Sequence, residues 1–285
     1  MPITMSPLRY PGGKTSYAAM IYWIIQNNGL SDCSYAEPFA GGSGAAIELL
    51  LKNQVKEIWL NDLDISIYSF WKAITEHTDE FLTKLKDTPI TVQEWKRQRE
   101  IYKNQDDDIL VLGFATFFLN RCNRAGILMA NPIGGIKQDG ASRIDDRFKK
   151  DKLAVKIRLI AEQKKRIHLF NLDAIEFLKK LNRLKRKILV YFDPPYYKKG
   201  KFLYMNHYRH EDHKLLCKKI LKCRLPWLLS YDVRPEIAEF YNNVPFYLNK
   251  LRYSVVTPSI GREWIISNLR VPDYLEIVEK DSDAK

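Results

Sequence analysis

Apolar and polar positions form alternating blocks along the chain, and these blocks predict an α/β architecture. Short apolar runs bounded by turn residues predict strands, whereas apolar residues at helical spacing predict helices. In chain order the pattern predicts a helix over 16–28, a strand over 33–37, a helix over 45–52, a strand over 56–60 and a helix over 65–77. Such alternation is typical of a parallel sheet covered by helices.

The strand–helix alternation is interrupted over 79–162. Charged helical stretches are predicted there at 92–103 and 108–120, followed by a segment rich in Gly, Pro and polar residues. Alternation then resumes with strands over 167–170, 188–192 and 227–230, helices over 174–181 and 212–223, and a last strand over 263–268 that we expect to be antiparallel. We therefore interpret 1–78 and 163–285 as one discontinuous domain and 79–162 as an inserted domain.

The chain is basic and long enough for a sizeable core. Its 285 residues include 46 Lys plus Arg against 34 Asp plus Glu, a net charge of +12. A surplus of this size suits a polyanionic partner. The four cysteines form no CxxC pair and no histidine lies at zinc-ligand spacing, so we predict no metal site and no disulfide framework. We see no signal or membrane-spanning pattern, and we expect a cytoplasmic monomer that does not bind membranes.

The tetrapeptide Asp193-Pro194-Pro195-Tyr196 directly follows the predicted strand over 188–192. Proline has no N–H and a fixed φ, so the carbonyls around the two prolines form a stiff array. Together with the Asp193 carboxylate they make a pocket lined by acceptors. An aromatic amine with two N–H donors, such as adenine N6, fits this pocket, and Tyr196 offers a flat face for the base. These four residues are the candidate catalytic residues.

A glycine turn after the first strand predicts a cofactor site. Gly41, Gly42 and Gly44 allow the backbone to approach a ligand closely, and Asp62 ends the next strand, where it can accept ribose hydroxyls. This arrangement predicts a cofactor that contains a nucleoside. A dinucleotide fingerprint is incomplete because Ile47 occupies its third glycine position.

A second turn is predicted at 9–14, just before the first helix. Lys14 is suited to a carboxylate such as the methionine end of S-adenosylmethionine, and Tyr10 to the sulfonium or amino-acid part of the same molecule. Open α/β sheets bind ligands at the carboxyl ends of their strands. We expect both turns and the Asp193–Tyr196 tetrapeptide to lie at that edge.

Five motifs, in this order, resemble the Dam-type DNA adenine-N6 methyltransferases. They are YPGGK at 10–14, EPFAGGSG at 37–44, ND at 61–62, FLNR at 118–121 and DPPY at 193–196, and they span nearly the whole chain. The resemblance implies a Rossmann-like S-adenosylmethionine-dependent methyltransferase sheet with a mainly helical target-recognition insert. It also implies a set of cofactor-binding residues: Tyr10, Lys14, Glu37, Phe39, Gly41, Gly42, Asp62, Asp173 and Asp193.

The same resemblance implies that the insert over 79–162 contacts DNA. The candidates are residues whose side chains suit base edges or phosphates: Asn120, Arg121, Asn123, Arg124, Arg143 and Arg147. These residue types also make routine phosphate contacts and helix caps. GATC-methylating relatives carry an arginine in a run that reads GILM at 126–129 here, so we do not expect GATC specificity and regard 131–147 as the candidate region for another site.

The resemblance implies a site-specific adenine-N6 methyltransferase of a prokaryote or phage, acting on double-stranded DNA of the nucleoid by base flipping. A cognate restriction nuclease is the candidate partner. Methylation of cytosine N4 or of RNA adenine is the enzymatic alternative, although Asp193 at the head of the tetrapeptide and the motif order favour adenine in DNA. A catalytically silent nucleic-acid-binding module is the alternative of another class, and no motif is degraded as that reading would require.

Overall fold

The computed structural model describes residues 4–9, 14–197, 208–253 and 259–278. They pack into two compact units. Unit 1 takes the described parts of Met1–Ala18, Gly41–Asn53 and Asp62–Asn171, and unit 2 takes those of Ala19–Ala40, Gln54–Asn61 and Leu172–Lys285. The chain therefore passes between the units several times, and each unit is built from segments far apart in sequence.

The helices of the described ranges are α1 Ala18–Asn27, α2 Gly44–Leu51, α3 Ile65–Glu76, α4 Thr78–Asp87, α5 Val92–Asn104, α6 Ile109–Cys122, α7 Lys150–Ala161, α8 Ala174–Asn182, α9 His210–Leu221 and α10 Pro235–Phe240. The strands are β1 Ser34–Glu37, β2 Ile58–Asn61, β3 Ile167–Phe170, β4 Ile188–Phe192, β5 Trp227–Asp232, β6 Phe246–Tyr253, β7 Ser259–Ser267 and β8 Glu276–Ile277. The α/β class predicted from the alternation is confirmed.

Unit 2 is built on a mixed sheet with the strand order β2-β1-β4-β5-β7-β6-β8. β1 is parallel to both β2 and β4, and β4 is parallel to β5. β7 runs antiparallel to β5 and β6, as expected for the last predicted strand. Every residue of β1, β2 and β4 is buried, which explains why these strands read as continuous apolar runs. This is the Rossmann-like arrangement that the motifs imply.

Unit 1 is mainly helical, and its central helix α6 is almost wholly buried. The Asp108 carboxylate caps this helix by accepting the N–H groups of Leu110 at 2.8 Å and Val111 at 3.1 Å. Five phenylalanine rings form the core around α6 with centroid separations of 5.4 to 6.3 Å: Phe70, Phe81, Phe114, Phe117 and Phe148. The insert over 79–162 falls inside unit 1, and the proposed domain boundaries at 79 and 162 stay a prediction.

Several elements were not predicted from the sequence. Helices α4, α7 and α10 and strands β6 and β8 lie where charged or polar residues obscure the apolar period.

All four cysteines are buried free thiols. In the ranges that the structure describes, no helix is long and apolar enough to cross a bilayer.

Gly113 of α6 lies directly against the backbone of α3. A Cβ at this position would lie 2.5 Å from the Ser69 carbonyl oxygen and 2.8 Å from its carbonyl carbon, and both are backbone atoms of α3. Because backbone cannot swing away as a side chain can, Gly113→Ala should force the helices apart and lower the free energy of unfolding by about 1–3 kcal/mol. Urea unfolding followed by tryptophan fluorescence measures this loss.

Gly140→Ala is the matched control, because nothing lies within 4 Å of its added Cβ. We expect this variant to unfold at the same urea concentration as the wild type. Equal midpoints for the Gly113→Ala variant and the wild type would contradict the packing described for α3 and α6.

Candidate active site

The sheet of unit 2 changes strand order at β1, which lies between β2 and β4. β1 ends at Glu37 and β4 ends at Phe192, so the residues after them emerge at the same carboxyl edge. Ligands of open α/β sheets bind outside the carboxyl ends of strands at such a switch point. Glu37 and Asp193 therefore occupy the place where the fold predicts chemistry.

Asp193 is oriented by a chain of hydroxyl groups from the neighbouring strands. Its Oδ1 accepts a hydrogen bond from Ser230 Oγ of β5 at 2.8 Å. Ser230 Oγ in turn lies 2.7 Å from Tyr191 Oη, and because the serine proton is directed to Asp193, the tyrosine is the donor. Both hydroxyl groups are buried, so Asp193 is held by rigid neighbours. Ser230 was not among the residues predicted from the sequence, although a serine within the apolar run of β5 is a usable signal.

Glu37 is held in the same manner by the tyrosine two residues before it. Tyr35 Oη donates to Glu37 Oε1 at 3.0 Å, and both residues are buried. Burial raises the pKa of Tyr35 well above its usual value, and the nearby negative charges of Glu37 and Asp193 raise it further. Tyr35 therefore keeps its proton and stays a donor. Two carboxylates, Glu37 and Asp193, thus lie near Tyr35 at the carboxyl edge of β1 and β4.

The rest of the tetrapeptide is anchored by carboxylates of β5 and β7. Tyr196 Oη donates to Glu263 Oε1, and the N–H of Tyr197 donates to Asp232 Oδ1 at 3.0 Å. Pro194 is buried, while Pro195 and Tyr196 are half-buried. The ring of Tyr196 is therefore fixed at its tip while part of its surface stays accessible.

Asn61 ties together the chain segments that follow β1 and precede α8. Its Nδ2 donates to the carbonyls of Pro38 at 3.0 Å and Leu172 at 2.9 Å, and its Oδ1 accepts the Leu172 N–H at 3.0 Å. The next residue, Asp173, is exposed and caps α8 by accepting the Ile175 N–H at 2.8 Å. Asn61 is a positioning residue that belongs to the ND motif at 61–62 but was not among the predicted site residues.

In unit 1, the glycine turn is fastened through its backbone. Gly41 has φ of 47°, a left-handed conformation that favours glycine. Its N–H donates to Asp62 Oδ2 at 2.8 Å, and its carbonyl accepts from Trp71 Nε1 at 3.0 Å. The carbonyl of Gly42 accepts from Ser6 Oγ at 2.5 Å. The turn is thus held open by side chains from three separate parts of unit 1.

Asp62 is half-buried and accepts two backbone N–H groups, from Gly41 and, at 3.0 Å through Oδ1, from Asp64. Burial raises the pKa of Asp62 to about 7, and the Asp64 charge adds to this, while the two N–H donors oppose it. An ionised carboxylate has about four acceptor positions, so the geometry leaves capacity for further donors. Asp62 fits the role of an acceptor for hydroxyl groups.

Lys14 is 93% buried, and its Nζ lies 5.5 Å from the centroid of the Tyr17 ring. A lysine so enclosed is unusual unless it serves an anion or a structural partner. Tyr10, predicted to act beside it, lies outside the described residues. Phe39 of unit 2 makes an edge contact with Tyr208 at a centroid distance of 5.8 Å.

Asn120 and Asn123, both predicted DNA contacts, are completely buried in unit 1. The Asn120 amide exchanges hydrogen bonds with the backbone of Arg9 at 2.7 Å in both directions and donates to the Gly126 carbonyl. Asn123 accepts from Trp95 Nε1 at 2.6 Å and donates to the carbonyls of 127 and 128. Their observed role is to shape the loop after α6. Contact with DNA by these two residues stays a prediction, and the burial of both amides argues against it.

The four arginines predicted to contact DNA are more exposed than these two asparagines. Arg124, Arg143 and Arg147 are exposed. Arg121 is half-buried and donates to the carbonyls of Arg147, at 2.8 Å from Nε, and Pro7, at 3.3 Å. Burial and the positive charges of Arg9 and Arg147 lower the pKa of Arg121 to about 10. Arg9, which was not among the predicted residues, belongs to this group of cations through its bond to the Asn123 carbonyl.

The predicted site residues therefore divide between the units. Unit 2 contains Glu37, Phe39, Asp173, Asp193, Pro194, Pro195 and Tyr196, whereas unit 1 contains Lys14, Gly41, Gly42, Asp62 and the six candidate DNA contacts. Within unit 2 the structure brings Glu37 and Asp193 together, and within unit 1 it brings Gly41, Gly42 and Asp62 together. In the ranges described, no three His, Cys, Asp or Glu side chains are grouped so as to hold a metal ion.

Among known proteins, the chain is similar to a type II methyltransferase, M.MjaIII, from Methanocaldococcus jannaschii, with 29% identity over 106 residues. The similarity covers 35% of this chain and 36% of the relative, so the chain spans about a third of the length of the curated relative it matches. Among solved structures, the rRNA methyltransferase aviRa from Streptomyces viridochromogenes aligns with 91% of this chain and 86% of its own, at 9% identity and a TM-score of 0.38.

The strongest comparison is with a protein family. The model of the D12 class N6 adenine-specific DNA methyltransferases matches residues 10–255. This range includes all five motifs, from YPGGK at 10–14 to DPPY at 193–196. With the match extending over most of its length, the chain belongs to the D12 class N6 adenine-specific DNA methyltransferase family.

Proposed function

We propose that the protein is a site-specific DNA methyltransferase that transfers a methyl group from S-adenosylmethionine to adenine N6 in duplex DNA. Membership of the D12 family supports this activity. The observation that carries it is Asp193, held by Ser230 at the switch point of the sheet and followed by two prolines. This arrangement makes an acceptor-lined position at the edge where the fold binds ligands.

The residues around Asp193 suit activation of an aromatic amine. The lone pair of such an amine is delocalised into the ring, which makes the nitrogen a poor nucleophile. Hydrogen bonds from the two N–H groups to the Asp193 carboxylate and the Pro194 carbonyl would localise the lone pair on nitrogen. The S-adenosylmethionine of this family supplies an electrophilic methyl group. Positioning and acceptor electrostatics then provide most of the help, and no cysteine nucleophile is required.

The residues assigned to the cofactor fit S-adenosylmethionine in chemical type. Asp62 has acceptor capacity for ribose hydroxyls beyond its two backbone partners. Buried Lys14 is suited to the carboxylate of the methionine part. We propose the same ligand for Tyr10, Glu37, Phe39, Gly41, Gly42, Asp173 and Asp193, as the motif resemblance implies.

The arginines of unit 1 support a nucleic-acid partner. Arg9, Arg121 and Arg147 repel one another, and in the part of the chain that the structure describes none of them forms an ion pair with a carboxylate. A phosphate would neutralise this charge. Exposed Arg124 and Arg143 extend the cationic surface. Extruding the target base costs a few kcal/mol, and stacking on Tyr196 would offset that cost.

We propose further that 79–162 is a Dam-type target-recognition insert whose site is not GATC, because the run at 126–129 lacks the arginine of GATC-methylating relatives. A cognate restriction nuclease, a monomeric state and a cytoplasmic, nucleoid-associated location in a prokaryote or phage belong to the same proposal. The acceptor-lined position would also admit cytosine N4 or an adenine in RNA, and the family match favours adenine in DNA.

Asp193→Ala should abolish methyl transfer, because the amine loses its principal acceptor, while DNA binding persists. Incorporation of tritiated methyl groups into DNA from a host that lacks adenine methylation measures transfer, and a gel-shift assay measures binding. Asp273→Ala is the matched control, because this carboxylate of unit 2 has 85% side-chain exposure and pairs only loosely with Arg270. Substantial turnover by purified Asp193→Ala would show that the proposed pocket is wrong.

Asp62→Asn tests the ionisation of the proposed ribose acceptor. The pKa of Asp62 is raised in the folded protein, so between about pH 4 and pH 7 the folded state keeps a proton that the unfolded chain has released. Ionisation of Asp62 therefore lowers stability as the pH rises through this window. The variant lacks this loss, so its stability relative to the wild type should improve between about pH 4 and about pH 8.

Urea unfolding of both proteins at several pH values measures the difference. Parallel stability profiles for Asp62→Asn and the wild type would contradict the raised pKa. At the upper end of the pH range we also expect the variant to bind S-adenosylmethionine more weakly by calorimetry, because its amide offers fewer acceptor positions than a carboxylate.

A further inference from the structure

Two carboxylates, Asp232 and Glu263, face each other across the antiparallel strands β5 and β7. They are register partners. Directly opposite residues in an antiparallel pair project from the same face of the sheet, and like charges at such positions are destabilising. Glu263 is only 2% exposed and Asp232 is half-buried, so solvent screens this repulsion poorly. A charged pair at this position needs donors that compensate it.

Two of the donors come from the residues directly after the two prolines. Glu263 Oε1 accepts from the hydroxyl of Tyr196, and Asp232 Oδ1 accepts from the N–H of Tyr197 at 3.0 Å. Asp232 Oδ2 also accepts from Arg234 Nε at 3.4 Å. One register pair therefore grips both the side chain of Tyr196 and the backbone of Tyr197.

These two hydrogen bonds matter because the two prolines before Tyr196 cannot be fixed by backbone N–H groups. Pro194 and Pro195 have no N–H, so neither can donate a backbone hydrogen bond. Ser230 holds the segment on one side of the prolines through Asp193, and the Asp232–Glu263 pair holds it on the other. The hydroxyl oxygen of a tyrosine lies on the axis of its second torsion, so a bond at Oη fixes where the ring tip lies and thereby restrains the first torsion.

We propose that Glu263 and Asp232 are positioning residues for methyl transfer: they hold the ring of Tyr196 in place and fix the path of the Pro-Pro segment so that a flipped base meets Asp193 correctly. The inference rests on the proposed function, because it assigns a role toward the same target base. Neither carboxylate needs to touch the substrate. This role explains why a charged residue, Glu263, lies within the buried part of β7.

A double-mutant cycle on Tyr196 and Glu263 tests the proposal. The variants are Tyr196→Phe, Glu263→Gln and the two combined. Each single variant weakens or removes one hydrogen bond to a charged group, so we expect each to lower kcat by about tenfold. The double variant should be no slower than the slower single variant, because both changes act on one contact. Affinity for S-adenosylmethionine, measured by calorimetry, should stay within about twofold of the wild type.

Ser267→Ala is the matched control for loss of a buried polar group in β7. Its hydroxyl donates to the Trp227 carbonyl at 2.6 Å, at the other end of the strand pair. This variant should lose stability in urea while keeping the wild-type kcat. A merely structural role for Glu263 would give Glu263→Gln the same behaviour as Ser267→Ala.

Failure of the positioning role and failure of the proposed function give different results. Wild-type kcat in Glu263→Gln, or effects of the two single changes that multiply in the double variant, would overturn the positioning role while leaving the proposed function intact. Absence of adenine methylation by the wild-type protein itself would instead overturn the proposed function, and this inference with it. If Glu263→Gln fails to fold, Tyr196→Phe still decides the proposal, since wild-type kcat in that variant contradicts it.

Discussion

A buried carboxylate must be hydrogen-bonded, and this constraint shapes the carboxyl edge of the sheet in unit 2. Leaving such a charge unpaired would cost several kcal/mol. Three carboxylates there, two of them buried and Asp193 half-buried, each accept from a neutral hydroxyl: Glu37 from Tyr35, Asp193 from Ser230, and Glu263 from Tyr196. Neutral donors orient the acids without cancelling their charge. The edge therefore keeps the acceptor character that an aromatic amine requires.

The need to hydrogen-bond buried polar groups also explains the conformation of the loop after α6 in unit 1. Asn120 and Asn123 place every amide atom against protein partners, so the loop is stiff although it has little regular structure. Ala125 and Gly126 adopt positive φ within it. A Cβ at Gly126 would lie 2.2 Å from the Arg9 carbonyl oxygen, so this turn requires glycine. In the proposed function, this stiff backbone would present exposed Arg124 to DNA.

The fold was largely predictable because strands with both faces covered leave short apolar runs, and β1, β2, β4 and β5 all read this way. Strands β6 and β8 were missed because they lie toward the end of the sheet, where polar residues are tolerated. Asp193 and the glycine turn were found from local motifs. Ser230 and Glu263 were not, because their roles depend on which strands are neighbours. That information resides in the pairing of β4, β5 and β7 rather than in any one segment.

In the proposed function, adenine N6 of DNA is methylated at the acceptor-lined edge around Asp193. Its most direct test is to incubate the purified protein with S-adenosylmethionine and unmethylated duplex DNA, digest the product to nucleosides and identify the modified nucleoside by mass. We expect N6-methyladenosine in its deoxy form to be the modified nucleoside. N4-methylcytosine, or methylation found only when RNA is the substrate, would contradict it.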